Sequence, residues 1–190
     1  HNEEIAWGHC LYRGDDADVF LEEIDETTER YRFLSRQLPL IRREEVIKVR
    51  GEPSRHRWVR ATQHGPLVSD ALRGPLPSSL HYSLKWTGHE GIQDAESILL
   101  MNRSREWSSF RESLRHARVP AMGYVYADRK GNIGAAVAGA FPIRPDSPRI
   151  LRPLPAYEAK HQWQGTVAHE DLPSVLNPEC GYIILAGQPL

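Results

Sequence analysis

Tyr124-Val125-Tyr126-Ala127-Asp128-Arg129-Lys130-Gly131-Asn132-Ile133-Gly134-Ala135-Ala136-Val137-Ala138-Gly139 is the stretch from which the fold can be read. Tyr124 to Asp128 is β-prone, Arg129-Lys130-Gly131-Asn132 carries turn chemistry, and Ile133 to Gly139 resumes a strand, so the segment predicts a β-hairpin. Its second arm is built from Gly134, Ala135, Ala136, Ala138 and Gly139, followed by Ala140. Side chains this small imply that another element packs close against that strand.

Upstream of the hairpin the pattern turns helical. Asp94 is placed to cap a helix through about Met101, and Ser104 to cap a second one from Arg105 to about Arg118. Trp107, Phe110 and Leu114, spaced by three and four, make one buried stripe on that second helix. Before the helices, Leu80, Tyr82, Leu84 and Trp86 alternate with His81, Ser83 and Lys85, which puts the four apolar residues on one face of a sheet. Val46 to Val49 reads as a strand that turns at Gly51-Glu52-Pro53 into Arg57–Thr62, and Ile5–Gly8 as a short strand. Asp18 to Arg36 has no single period and is assigned no element. Phe141 to Pro155, with five prolines, is an extended connector whose torsions proline fixes. A turn at Asn177-Pro178 precedes a last strand, Tyr182 to Leu185. The sum is one α+β unit dominated by strands, with no repeat and no domain boundary, so residues 1–190 are read as a single partial domain.

Composition narrows the function. The chain has 190 residues, 40% hydrophobic and 26% charged, with net charge -1 and pI near 6.8. That is ordinary globular material with no basic excess for nucleic acid or anionic lipid. The Arg clusters at Arg42-Arg43 and Arg55 to Arg60 lie among acids and read as a solvated face. No apolar run approaches the roughly 18 residues of a membrane helix. Nine histidines without His-x-x-x-His spacing argue against a zinc enzyme. Cys10 and Cys180 have no metal-site spacing and are read as buried free thiols, with pairing in an oxidising compartment as the alternative. The opening His1-Asn2-Glu3-Glu4 has neither Met nor a signal pattern, and the chain is expected to be an internal piece of a longer protein.

Several segments together resemble the penicillin acylase family of N-terminal-nucleophile hydrolases. His1-Asn2 with Ile5-Ala6-Trp7-Gly8 resembles its G-H-N-x-x-I-x-W-G element, and Asp15-Asp16-Ala17-Asp18-Val19-Phe20 its D-x-x-D-[LIV]-[FY] step. Arg60 to Pro66 is similar to the R-T-x-H-G-P strand, and Glu106 to Phe110 to the N-W-x-E-[FW] helix. Tyr126 to Gly134 matches Y-A-D-x-x-G-N-I-G directly. Trp163-Gln164-Gly165, Leu172-Pro173 and Asn177-Pro178 with Gly181-Tyr182-Ile183 follow the family's closing series. The six motifs stand in the family's order over nearly the whole chain.

The resemblance implies part of a four-layer αββα sandwich, and an amidohydrolase that cleaves an acylated amine such as a β-lactam side chain or an acyl-homoserine lactone. Its nucleophile is an N-terminal Ser whose own α-amino group is the base. That Ser is expected upstream of His1, in the β subunit of a precursor that also supplies an α subunit, and no serine of this chain replaces it. Carried over by motif, the oxyanion-hole donors fall at the backbone N–H of Leu11 and at Gly187, where the family has an Asn side chain. Gln188 is the neighbouring candidate. Fixed donors of this kind contribute about 3–4 kcal/mol each when tested by removal. The acyl pocket falls at His9, Ile98 and Met122. Calcium, which takes six to eight oxygens, would be held in part by Asp15, Asp18 and the carbonyls of Ala17 and Pro148. A periplasmic or secreted location follows from the resemblance, as do a small acyl-amide substrate and no nucleic-acid or membrane partner. The glycine at 187 favours a second reading, a catalytically degenerate relative that binds an acyl ligand or serves structurally.

Overall fold

The computed structural model describes residues 1–72, 79–91, 94–145 and 152–187. From the N-terminus the chain runs β1 (Ile5–Leu11), β2 (Ala17–Glu22), β3 (Ile24–Asp25), β4 (Arg30–Phe33), β5 (Arg36–Pro39), β6 (Ile41–Ile47), β7 (Arg55–Thr62) and β8 (Gly65–Pro66). It continues with β9 (His81–Trp86), helices α1 (Asp94–Arg103) and α2 (Trp107–Ser113), the hairpin β10 (Met122–Asp128) and β11 (Ile133–Ala138), then β12 (Leu154–Pro155) and β13 (Ser174–Leu176). The class is α+β, as the sequence predicts.

Two compact units emerge where the sequence marks no boundary. One gathers His1–Asp16, Thr87–Ile143 and Gly165–Leu190, the other Ala17–Trp86 and Arg144–Gln164. Each is assembled from segments far apart in the chain, so no local shift of composition announces the division.

In the first unit an antiparallel sheet has the order β1-β10-β11-β13. One face carries Ile5, Tyr126, Ala136 and Ala138, which form a core with Met101 of α1, Phe110 of α2, Leu114 and Ala117. The predicted stripe is therefore real: Phe110 is 0% and Leu114 1% exposed, and Trp107 packs against the same core. The small residues of β11 serve this contact. A Cβ on Gly134 would lie 2.5 Å from a Trp107 ring carbon, so the indole occupies the space a side chain would need.

The hairpin turn is organised by Asp128. Its carboxylate accepts hydrogen bonds from the N–H groups of Lys130 and Asn132, from the Asn132 amide and from the Tyr126 hydroxyl. Burial alone would push this carboxyl up, but the Asn132, Tyr126 and Lys130 bonds outweigh it and hold it below its ordinary value. Asn177 completes the corner, accepting from the Ile133 N–H at 3.0 Å and donating to the Asn132 side chain at 2.8 Å.

Helix boundaries differ from the sequence reading. Ser104 does not cap α2; its hydroxyl turns back to donate to the Leu100 carbonyl at the end of α1. The cap is Glu106, in a reciprocal pair with Ser109, and α2 ends at Ser113, continued by a single 3-10 turn at Leu114–His116. The Asp94 carboxylate accepts from the N–H groups of Arg118 and Val119, tying α1 to the segment before β10. Tyr182 to Leu185 is not a strand; the sheet is closed instead by Ser174–Leu176, paired to β11. Neither cysteine is in a disulfide, and the expected burial does not hold, since Cys10 is half-buried and Cys180 exposed.

In the second unit β2 pairs antiparallel with β9 and parallel with β12, β3-β4-β5 form a meander in the unassigned region, and β6, β7 and β8 make a third sheet. Tyr82, Leu84 and Trp86 do share a face of β9, yet burial is tighter on the other one, where His81 is 8% and Ser83 0% exposed. The cause is a buried polar cluster. Glu22 Oε1 accepts from Thr62 at 2.7 Å and Ser83 at 2.6 Å and lies 2.9 Å from His64 Nδ1. The other His64 nitrogen meets Gln162 Oε1 at 2.8 Å, and the ring stacks on Phe20 at 4.1 Å.

Candidate active site

Leu11 is the last residue of β1, an edge strand of its sheet. The Tyr12 N–H donates to the Ala121 carbonyl at 3.0 Å and the Arg129 N–H to that of Glu4 at 3.1 Å, so even-numbered residues of this strand face β10 through their hydrogen bonds. In an antiparallel ladder the alternate residues turn both backbone groups away. Leu11, opposite Met122, therefore points its N–H and C=O away from β10, to the side of β1 where no named strand of the described residues pairs. A donor fixed by the strand and turned outward is the geometry an oxyanion contact needs.

The segment after Gly181 crosses the sheet face away from the helices and brings the second expected position to the first. Leu185 covers Gly123, where a built Cβ would lie 3.2 Å from the leucine methyl and 3.7 Å from the Cys10 sulfur. Two residues on, Gly187 takes φ +65° with Leu11 beside it, and a Cβ on Gly187 would lie 3.2 Å from the Leu11 carbonyl oxygen. Positions 11 and 187, 176 residues apart in sequence, are neighbours in space. Gly187 supplies no side-chain donor, and Gln188 lies outside the described residues. Along the same face Ala6, Gly8, Val125, Ala127 and Ile133 floor an apolar groove of about 450 Å³, rimmed by Tyr182 and Ile183.

His9 and Met122 fall on the opposite, helix-side face. His9 is exposed and its ring lies 5.8 Å from that of Tyr124, its partner across the ladder; Met122 is two residues from Tyr124 on the same strand. Ile98 is 58% exposed on α1, about one turn before the buried Met101 that packs under this face. Tyr124 is the residue the sequence reading missed. Burial, with the Asp94 charge second, raises its hydroxyl above the usual range and keeps it neutral. Alternation along Met122-Gly123-Tyr124 was the signal that could have found it.

Asp15 is exposed in the first unit, whereas Ala17 and Asp18 begin β2 in the second, and Pro148 lies outside the described residues. Asp18 Oδ2 already accepts from Arg144 Nε at 2.8 Å and Trp163 Nε1 at 2.6 Å, so a guanidinium supplies much of the counter-charge a cation would bring. Among the described residues no three His, Cys, Asp or Glu side chains gather as a metal site.

Comparison with known proteins agrees with the motifs. The penicillin amidase family profile matches residues 1–190. The chain is 27% identical to the acyl-homoserine lactone acylase QuiP of Pseudomonas aeruginosa, over 96% of this chain and 22% of that protein. It is 30% identical to penicillin G acylase of Escherichia coli, over 96% of this chain and 21% of that protein. The thermostable penicillin G acylase of Alcaligenes faecalis superposes with a TM-score of 0.81 at 26% identity, over 99% of this chain and 33% of that one. The chain thus spans about a fifth of the length of the curated relatives it matches. With a profile matched from end to end and a shared fold, this chain belongs to the penicillin amidase family.

Proposed function

We propose that these residues form part of an acylase that hydrolyses the amide bond of an acylated amine, and that Leu11 contributes one oxyanion donor to it. The outward-turned N–H of Leu11, with Gly187 brought against the carbonyl oxygen of the same residue, is the observation that carries the reading. In this scheme a nucleophile oxygen from outside the chain attacks the acyl carbon. The carbonyl oxygen takes up negative charge and accepts the Leu11 N–H. The amine leaves with a proton, and water then releases the acid. Because a backbone group carries the contact, the unusual His9-Cys10 before it does not disturb it. His9, Tyr124, Ile98 and Met122 are assigned to the acyl group, on the helix-side face.

For the complete protein we further propose a structural calcium ion, to which this chain would give Asp15, the Ala17 carbonyl and Asp18, and export to the bacterial periplasm. Family resemblance supports both, and metal analysis and cell fractionation test them.

The experiment is amine release from N-phenylacetyl amides and from N-acyl-homoserine lactones by the purified full-length protein. Turnover of either class supports the acylase. Acid binding without turnover supports the second reading, a degenerate acyl-binding relative, which the missing side chain at Gly187 favours.

A further inference from the structure

The hairpin of β6 and β7 is exposed over most of its length. Its register runs from Ile41 opposite Ala61 to Ile47 opposite Arg55, and from Val46 to Trp58 every residue but Val49 is exposed. Pairing of Glu44 with Trp58 and Val46 with His56 places Val46 and Trp58 on one face, as diagonal neighbours. Trp58 is 58% and Val46 51% exposed, with the Arg42 guanidinium 5.1 Å from the Trp58 ring. A two-stranded ribbon solvated on both sides is marginal by itself, and an exposed Trp at its centre is the residue type that anchors interfaces.

Charge says what such a surface would meet. Each acid of the ribbon is already paired with a ribbon base: Glu44 with His56 at 2.7 Å, Glu45 with Arg43 at 2.5 Å and Glu52 with Arg55 at 3.0 Å. Lys48 and Arg50, at the tip, have no ion pair among the described residues. The Trp58 face therefore presents the indole and Val46 on either side of the Glu44–His56 pair, with a cationic end at Lys48 and Arg50, which fits an apolar hollow beside acidic side chains. Relatives carry roughly four-fifths of their length outside the part matched by this chain, so the parent polypeptide has ample surface to supply it.

We propose that the Trp58 face of this ribbon docks on an acidic-rimmed apolar surface of the same polypeptide, in the part outside these 190 residues. The docking is independent of the hydrolytic chemistry and survives if the acylase reading fails.

The test is zero-length amine-to-carboxylate crosslinking of the full-length protein, with copies of two isotopic labels mixed. Lys48 should link to an Asp or Glu outside residues 1–190 within one copy, and Arg50→Glu should lower the yield of that link several-fold. Trp58→Ser should lower the apparent unfolding midpoint by about 2 °C or more, with Trp58→Phe keeping most of it. Links confined to residues 1–190, mixed-label links that put a second copy on the ribbon, an absence of links, or an unmoved midpoint for Trp58→Ser would each overturn the proposal.

Discussion

Gly187 faces the carbonyl oxygen of Leu11 so closely that a Cβ on the glycine would stand 3.2 Å from it, at a backbone φ of +65°. Both facts limit what position 187 can hold. The left-handed conformation disfavours most side chains but is tolerated by Asn, and the Leu11 carbonyl must give by a few tenths of an ångström.

Gly187→Asn follows as a gain-of-function test. The side chain it adds is the amide that the family resemblance implies at this step, so under the proposed acylase reading the full-length protein should show kcat raised by about ten-fold or more with little change in KM. Gly187→Val, β-branched and incompatible with the positive φ, should lose folded enzyme instead. Steady-state kinetics on an acyl amide check both, and an unchanged or lower kcat for the Asn variant would remove position 187 from the oxyanion account.

Gly134→Ala tests the helix-on-sheet contact. The added methyl would sit 2.5 Å from the Trp107 ring, and overpacking of this kind costs about 1–3 kcal/mol. Denaturant unfolding of the full-length protein should show the loss, and Trp107→Leu in the same chain should recover part of it by making room.

Glu22→Ala should be among the most damaging substitutions in the second unit. It removes the acceptor of Thr62 and Ser83 and the partner of His64, all buried. Leaving buried donors without their acceptor costs about 1–3 kcal/mol each. Glu22→Gln, which keeps an acceptor oxygen, should cost less, and equal losses for the two would show that the cluster is held by packing alone.

His169 gives a pH dependence. Burial first, and then the Arg111 and Arg115 charges, hold its ring below the ordinary histidine value. The unfolded chain therefore binds a proton where the folded one does not, and stability must fall as pH drops below about 6.5 towards the folded value. Above that window the contribution is complete. His169→Gln should flatten the pH profile of the unfolding midpoint below about pH 6.5, and a profile identical to that of the unaltered protein would contradict the assignment.

Features written in a few neighbouring residues were legible in the sequence. The β10–β11 hairpin was, because Asp128, Gly131 and Asn132 make the turn among themselves, and so was the stripe Trp107, Phe110 and Leu114. Features decided by distant partners were not. Ser104 looks like a cap until Leu100 proves to be its acceptor, and Tyr182 to Leu185 looks like a strand until β11 pairs with Ser174–Leu176. On β9 the alternation was right, but the tightly buried side was set by Glu22, about 60 residues away. The site positions divide the same way. Leu11 was singled out only through the family resemblance of Trp7-Gly8, and its contact with Gly187 depends on a chain crossing that no local pattern encodes.

The central claim is acyl transfer at a nucleophile served by the Leu11 donor, and mass spectrometry of the full-length protein after brief reaction with an activated acyl ester tests it most directly. The account predicts one acyl group per molecule, on a Ser, Cys or Thr that has become an N-terminus upstream of His1, with the adduct lost to water on standing. An uncleaved polypeptide that takes up no acyl group would contradict it.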